Sequence, residues 1–252
     1  MLLTPRIKIL ITRLVSGIAA LVLLAAAFGL TNNFAVIKLT VTVCFLFLAV
    51  LSWNQGYTVW VLSALIAGAI FNPFIPLQHI PRNIWTILDI VAVAGLLYFV
   101  FWTTNPYWKG TRFEHYVSTL FPEHRFVIQN RTRDISKFTG RRVESDTHPD
   151  FVFRSSATDK PFAIECKWRS RWAKGNGGEM GLWWDKRQWL RYAEYEKTSG
   201  IPVFVAFGIG GVPEKPKEVY ILPLDRLRST FLNQTLIISG VLPVDFVQKM
   251  SQ

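Results

Sequence analysis

The sequence predicts an α-helical transmembrane bundle followed by an α/β domain whose mixed central sheet is flanked by helices. Three observations predict it. Charge is partitioned along the chain: up to Thr104 the charged residues are Arg6, Lys8, Arg13, Lys38, Arg82 and Asp89, which leaves 23 of the 28 Lys+Arg and 16 of the 17 Asp+Glu to the remainder. The charge-poor part holds serial apolar runs, each near the ~20 residues a helix needs to cross ~30 Å of hydrocarbon. The remainder alternates segments of helical spacing with short β-rich runs bounded by turn residues. Half of the 252 residues are apolar and the mean hydropathy is +0.25, high for a water-solvated chain. The division falls at 1–104 and 105–252, with the second core at roughly 111–224.

Four spans are read in the first part, at 14–30, 34–53, 57–77 and 84–102. Turn-like breaks separate them: Thr31-Asn32-Asn33, Asn54-Gln55-Gly56, and the stretch from Gln78 to Asn83. Asn72-Pro73 and Pro76 interrupt the third span. Trp53, Tyr57, Trp60, Trp85, Tyr98 and Trp102 fall mostly near span ends, as interfacial aromatics do. Arg6, Lys8 and Arg13 before the first span, with Lys109 and Arg112 after the last, put both ends in the cytoplasm by the positive-inside bias. Reading 1–29 as a cleaved signal peptide leaves three spans and the same delivery of the second part. Lys38 and Asp89 lie about a turn inside the outer leaflet, where they either pair across helices or snorkel and hydrate separately.

In the second part, Thr111–Phe121 has helical spacing and Arg125–Asn130 alternates as a strand. Arg131–His148 is a polar, basic loop, and Thr103–Gly110 is a linker. Pro149–Arg154 and Pro161–Trp168 are strands, Ser170–Gly181 a Gly-rich loop, and Leu182–Ser199 a helix stopped by Gly200. Ile201–Phe207 and Glu218–Leu224 close the order as strands. The second part carries +7 of the formal +11, which implies an anionic partner. Cys44 and Cys166 lie in unlike settings, so no disulfide framework is expected and a reducing compartment fits.

The chemistry concentrates in Pro161–Trp168. Alternation puts Ala163, Glu165 and Lys167 on one face and Phe162, Ile164, Cys166 and Trp168 on the other. A carboxylate and an ammonium emerging from an apolar strand are costly unless they pair or bind a metal. Asp150, on the preceding strand, supplies a second carboxylate, and Mg²⁺ typically takes one or two. Such a cation polarises a phosphoryl group and lowers the pKa of an attacking water; Lys167 would orient or deprotonate that water.

Pro149-Asp150 followed by Glu165-Cys166-Lys167 resembles the signature of the PD-(D/E)XK, or restriction-endonuclease-like, nuclease superfamily. Glu114, on the helix before the sheet, matches an acid that completes the metal site in many members. Gln188 and Tyr192, four apart on one helix face, resemble the Q-x-x-x-Y element of the RecB-like branch. The resemblance covers roughly Thr111–Phe207. It implies Mg²⁺-dependent cleavage of nucleic acid, most often DNA, with Mn²⁺ as a substitute. It also implies Glu114, Asp150 and Glu165 as metal ligands, Gln188 and Tyr192 at the substrate phosphate or Lys167, and a homodimer as one assembly.

Around these residues Arg169, Arg171, Lys174, Lys186, Arg187 and Arg191 interleave with Trp168, Trp172, Trp183, Trp184 and Trp189. This stretch suits phosphates and stacked bases, or anionic lipid at the inner membrane surface. The expectation is a membrane-anchored nuclease at the inner face of the membrane. The alternative is a catalytically inactive scaffold that binds nucleic acid or lipid on the same fold.

Overall fold

A computed structural model describes residues 5–30, 33–75, 80–132 and 148–239. The chain divides into two compact units, Met1–Asn105 and Pro106–Gln252.

The first unit is helical: α1 (Pro5–Ala27), α2 (Phe34–Trp53), α3 (Thr58–Ile70) and α4 (Arg82–Thr104). α1 packs on α2 and α4, and α2 on α3. Leu23, Val41, Leu48 and Leu96 are buried inside, yet Leu14, Leu21, Val43, Leu62, Val91 and Leu97 are exposed outside. An outer face as apolar as the core suits a hydrocarbon medium. Helices α1, α2 and α4 are long and apolar enough to cross a membrane.

The expected third span is shorter than predicted. At 13 residues α3 rises about 20 Å, less than the ~30 Å of a hydrocarbon core. Its end follows from Asn72-Pro73: a residue before proline disfavours the helical region, and the Asn72 side chain turns back to accept the Phe74 N–H at 2.8 Å. The first helix begins at Pro5, not at 14, because nothing in the basic segment breaks it and proline is tolerated in a first turn. Lys38 sets its Nζ 4.2 Å from the Trp85 ring centroid, and no ion pair with Asp89 is among the described contacts.

The second unit opens with α5 (Pro106–Thr119), so the expected linker shrinks to Asn105. Strands β1 (Phe126–Arg131), β2 (Phe151–Ser155), β3 (Pro161–Arg169), β6 (Val203–Ile209) and β7 (Glu218–Pro223) form one sheet in the order β1-β2-β3-β6-β7. β3 and β6 run parallel and the other neighbours antiparallel, which makes the sheet mixed as expected. The expected loop after β3 is instead a hairpin, β4 (Ala173–Lys174) and β5 (Met180–Trp183), joined by β8 (Phe231–Asn233) in a second sheet. Helix α6 (Lys186–Ser199) therefore starts later than predicted, where Asp185 accepts the Arg187 N–H at 2.9 Å as its N-cap. It stops at Gly200, whose φ of 69° closes the helix in the left-handed region. A short helix α7 (Gln234–Ser239) follows β8. Most of the basic loop expected over Arg131–His148 lies outside the described residues.

Two apolar layers sandwich the main sheet. Phe151, Phe153, Phe162, Ile164, Cys166, Phe204 and Ala206 face α5 through Phe113 and Val117. A Cβ on Gly208 would come within 2.3 Å of the Phe113 ring, so this glycine lets α5 lie close on β6. Val152, Ala163, Val205 and Phe207 face the other way, toward Tyr192 on α6 and Trp184. The alternation predicted for β3 is the alternation observed.

Candidate active site

Strand register assembles the site. In the β2–β3 hairpin Phe151 pairs with Ile164 and Val152 with Ala163; one step further the same register sets Asp150 opposite Glu165. The Cys166 N–H donates to Asp150 Oδ2 at 2.7 Å, which fixes that carboxylate against the next strand. Glu165 is buried, 3% exposed, and Lys167 donates to its Oε1 in an ion pair. Tyr192, also 3% exposed, brings its phenol to Glu165 from α6.

The electrostatics follow from burial of like charges together. Burial first, then the charges of Glu165 and Glu114, holds the Asp150 carboxyl well above the usual carboxylate range, against the pull of Lys167 and the Cys166 N–H. Burial also pushes the Lys167 ammonium down, but Glu165 and Asp150 more than offset it and its pKa ends above the ordinary value. The two acids thus favour the charged form of Lys167. Burial and the neighbouring acids raise the Tyr192 phenol well above its usual range and keep it a donor. Burial, with Asp150, Glu114 and Glu165, raises the Cys166 thiol well above its ordinary value and leaves it inert.

The remaining expected residues divide. Glu114 reaches the group through its charge on Asp150, and its Oε2 lies 4.0 Å from Arg131 Nη2. Gln188 is half-buried one turn before Tyr192, and none of the described hydrogen bonds includes its side chain. Among the expected cations, Arg171, Lys174, Lys186 and Arg187 are exposed. Arg169 is half-buried and turns back on the Trp168 carbonyl at 3.0 Å, and Arg191 lies over the Tyr192 ring at 5.7 Å. Of the five tryptophans Trp183 is the exposed one, at 48%. Trp184 is core, Trp189 donates to the Leu224 carbonyl at 3.0 Å, Trp168 to the Gly210 carbonyl at 3.3 Å, and Trp172 packs on Tyr220. Sequence reasoning missed Arg131 at Glu114 and the Cys166 N–H at Asp150; carrying the hairpin register one pair further finds the second.

Among the described residues, no three His, Cys, Asp or Glu side chains form a ready-made metal cluster. The donor chemistry nevertheless fits a hard divalent cation of the Mg²⁺ kind, which needs one or two carboxylates and takes its other ligands from water and phosphate. Asp150 and Glu165 supply them, and the excess of buried acid over Lys167 leaves Asp150 electrostatically short of positive charge.

Comparison with known proteins adds the following. A family model described as a family of unknown function, DUF6804, matches residues 11–101. Among solved structures, the chain is similar to Hjc, a Holliday junction resolvase from Archaeoglobus fulgidus, an archaeal hyperthermophile. Identity is 20%, the match covers 55% of this chain and 99% of that one, and the TM-score is 0.40, too low to bear on the site. No curated protein matches the chain.

Proposed function

We propose that the chain is a membrane-anchored, Mg²⁺-dependent nuclease of the PD-(D/E)XK type, acting on phosphodiester bonds of nucleic acid, DNA before RNA, at the inner face of the membrane. The observation that carries this reading is the convergence of Asp150, Glu165 and Lys167 on one side of the β2–β3 hairpin. A cation held by Asp150 and Glu165 would supply Lewis-acid polarisation of the phosphoryl oxygens and a more acidic water. The chain's own residues do the rest. Cys166 N–H and Tyr192 orient the two carboxylates, and Lys167 presents a fixed positive charge to a phosphate. The exposed cations Arg171, Lys174, Lys186 and Arg187 would neutralise further phosphates.

A second reading, a non-catalytic nucleic-acid- or lipid-binding scaffold, draws support from the Lys167 clasp on Glu165 and from Arg131 beside Glu114, since both occupy acids that a metal would need. The test is cleavage of supercoiled plasmid and single-stranded DNA by the detergent-solubilised full chain in Mg²⁺, Mn²⁺ and EDTA. Metal-dependent cleavage lost in Glu165→Gln and Lys167→Ala is expected. Cleavage that survives both substitutions refutes the site, and DNA binding without cleavage in any metal moves the assignment to the scaffold.

A further inference from the structure

Between α2, α3 and α4 lies a cavity of about 130 Å³. Its walls on α3 and α4 include Ser63, Ala67 and Gly95, and a Cβ on Gly95 would meet no atom within 4 Å. Small residues on membrane helices ordinarily let two backbones close on each other. Here α3 makes its close approach to α2 instead: a Cβ on Gly68 would sit 3.7 Å from Phe45 Cβ, and the Thr42 hydroxyl donates to the Gly68 carbonyl at 3.5 Å. Trp60 then props the other side, its ring centroid 5.0 Å from Phe99 and 5.8 Å from Tyr98 on α4. The space beside Gly95 stays unfilled, lined across from it by Ser63 and Ala67.

One polar group in the wall is unlike its neighbours. Several hydroxyls in this unit donate one turn back along their own helix, Ser63 to the Val59 carbonyl at 3.0 Å, Thr86 to Arg82 at 3.1 Å and Thr103 to Phe99 at 2.7 Å, while Thr42 donates across to α3 and Ser16, away from this gap, has no partner. Ser52 lines the cavity, is 1% exposed, and its hydroxyl has no hydrogen-bond partner. A buried hydroxyl left in this state is costly. Water is a poor answer, because it needs two to four polar partners and the wall offers two hydroxyls, of which Ser63 already donates to the Val59 carbonyl. Ser52 adjoins Trp53 at the end of α2, and its carbonyl accepts the Tyr57 N–H at 3.0 Å. Trp60, Tyr98 and Trp102 contact one another in series nearby. Such an aromatic group marks the depth of lipid headgroups and ester linkages.

We propose that this gap is a binding site for one bilayer glycerolipid, with an acyl chain between α3 and α4 and an ester carbonyl accepting from Ser52. Apolar cavities near this volume stay dry and take up a benzene-sized group, so the gap holds a segment of chain whose remainder lies in the bilayer. The inference rests on the helices lying in a bilayer and is independent of the chemistry at Asp150 and Glu165.

The full chain is reconstituted in phosphatidylethanolamine–phosphatidylglycerol vesicles carrying a phosphatidylethanolamine with a mid-chain diazirine, washed at alkaline pH, illuminated, and its peptides mapped. Retention after the wash with labelling of residues 60–67 and 92–99 that saturates at one lipid per chain is expected. Gly95→Leu, which fills the gap, lowers that labelling about tenfold. Ser52→Ala lowers it about fivefold through loss of one hydrogen bond, and Leu21→Val on the outer face of α1, away from the gap, leaves it unchanged. Ala67→Leu fills the gap from the opposite wall should Gly95→Leu fail to insert. A retained chain whose labelling rises without saturation, or is the same in both filled variants, overturns the lipid site alone. So does cross-linking of the gap to a second copy of the chain. Release of the chain by the wash overturns the membrane placement itself.

Discussion

The two faces of the main sheet are made by the same strands and do different work. Toward α5, the sheet, its helix and the turn that follows the helix contribute Phe113, Phe121, Phe126, Phe151, Phe153, Phe162 and Phe204 to one buried layer. Several of these rings stack, with Phe121 and Phe153 centroids 4.6 Å apart. Toward α6, the alternate residues of β2 and β3 lead from Val152 and Ala163 to Asp150, Glu165 and Lys167. The first face gains by excluding water and filling space. The second holds mutually repelling acids, costly to bury together unless they are paired or bind a cation. A strand's period of two allows both at once, since a change on one face need not disturb the other.

The widest separation is expected from one substitution on each face. Glu165→Gln should lower metal-dependent cleavage on the order of a thousandfold, the rate equivalent of several kcal/mol of metal-supplied stabilisation, while the folded signal by circular dichroism is kept. Phe153→Ala should cost about 3–5 kcal/mol of stability, read by denaturant unfolding, while activity per folded molecule is unchanged. If Phe153→Ala instead loses activity while fully folded, the faces are coupled and the comparison breaks.

Asp150 gives a smaller effect with a defined sign. Its folded pKa lies above the unfolded value, so the native state favours the protonated carboxyl. Stability from this group is complete below the unfolded pKa, near 3.9, and is lost as pH rises toward the folded value. Asp150→Asn should therefore be more stable than wild type at neutral pH and less pH-dependent, while inactive. Adding Mg²⁺ should raise the melting temperature of wild type and not of Asp150→Asn. Equal responses of the two proteins would remove Asp150 from the metal site.

How much of this was legible depended on range. The faces of β3 could be read from eight consecutive residues, and Asp150 from its place before an apolar strand. The N-cap of α6 was also in the sequence, at Asp185, but Trp183 and Trp184 continued the helical apolar spacing and masked it. The small sheet was not legible, since β4 has two residues, β5 carries Gly181 within it, and its partner β8 lies some fifty residues on. Burial of Trp184, Trp189 and Trp172 is likewise set by distant contacts, so a stretch that read as a row of stacking platforms reduces to Trp183. Asn72-Pro73 carried the early end of α3 in plain view.

Two finer changes sharpen the chemical face. Tyr192→Phe removes the donor to Glu165 and should lower kcat about tenfold, the value of one hydrogen bond to a charged group. KM should be little changed, and Gln188→Ala tests whether the rest of that helix face contributes. Trp183→Ala should weaken binding of single-stranded DNA about fivefold, as loss of one stacking side chain does, with duplex binding unaffected in a filter assay. Equal loss on both substrates would assign Trp183 to general packing on Phe231, whose ring it meets at 5.0 Å.

The parallel pairing of β3 with β6 has a consequence for how the protein is made. The β2–β3 hairpin brings Asp150 and Glu165 together by local contacts, but an isolated hairpin is marginal in water. Its second neighbour, β6, is synthesised after β4, β5 and α6, and α6 carries Tyr192. During synthesis the acids are thus paired in sequence before the strand that buries them and the phenol that orients Glu165 exist. Closing that long loop is the slow, non-local step. A nascent chain halted near Ser170 contains the whole acidic motif without β6 or Tyr192, so the burial that the proposed chemistry needs would arrive with the crossover rather than with the motif.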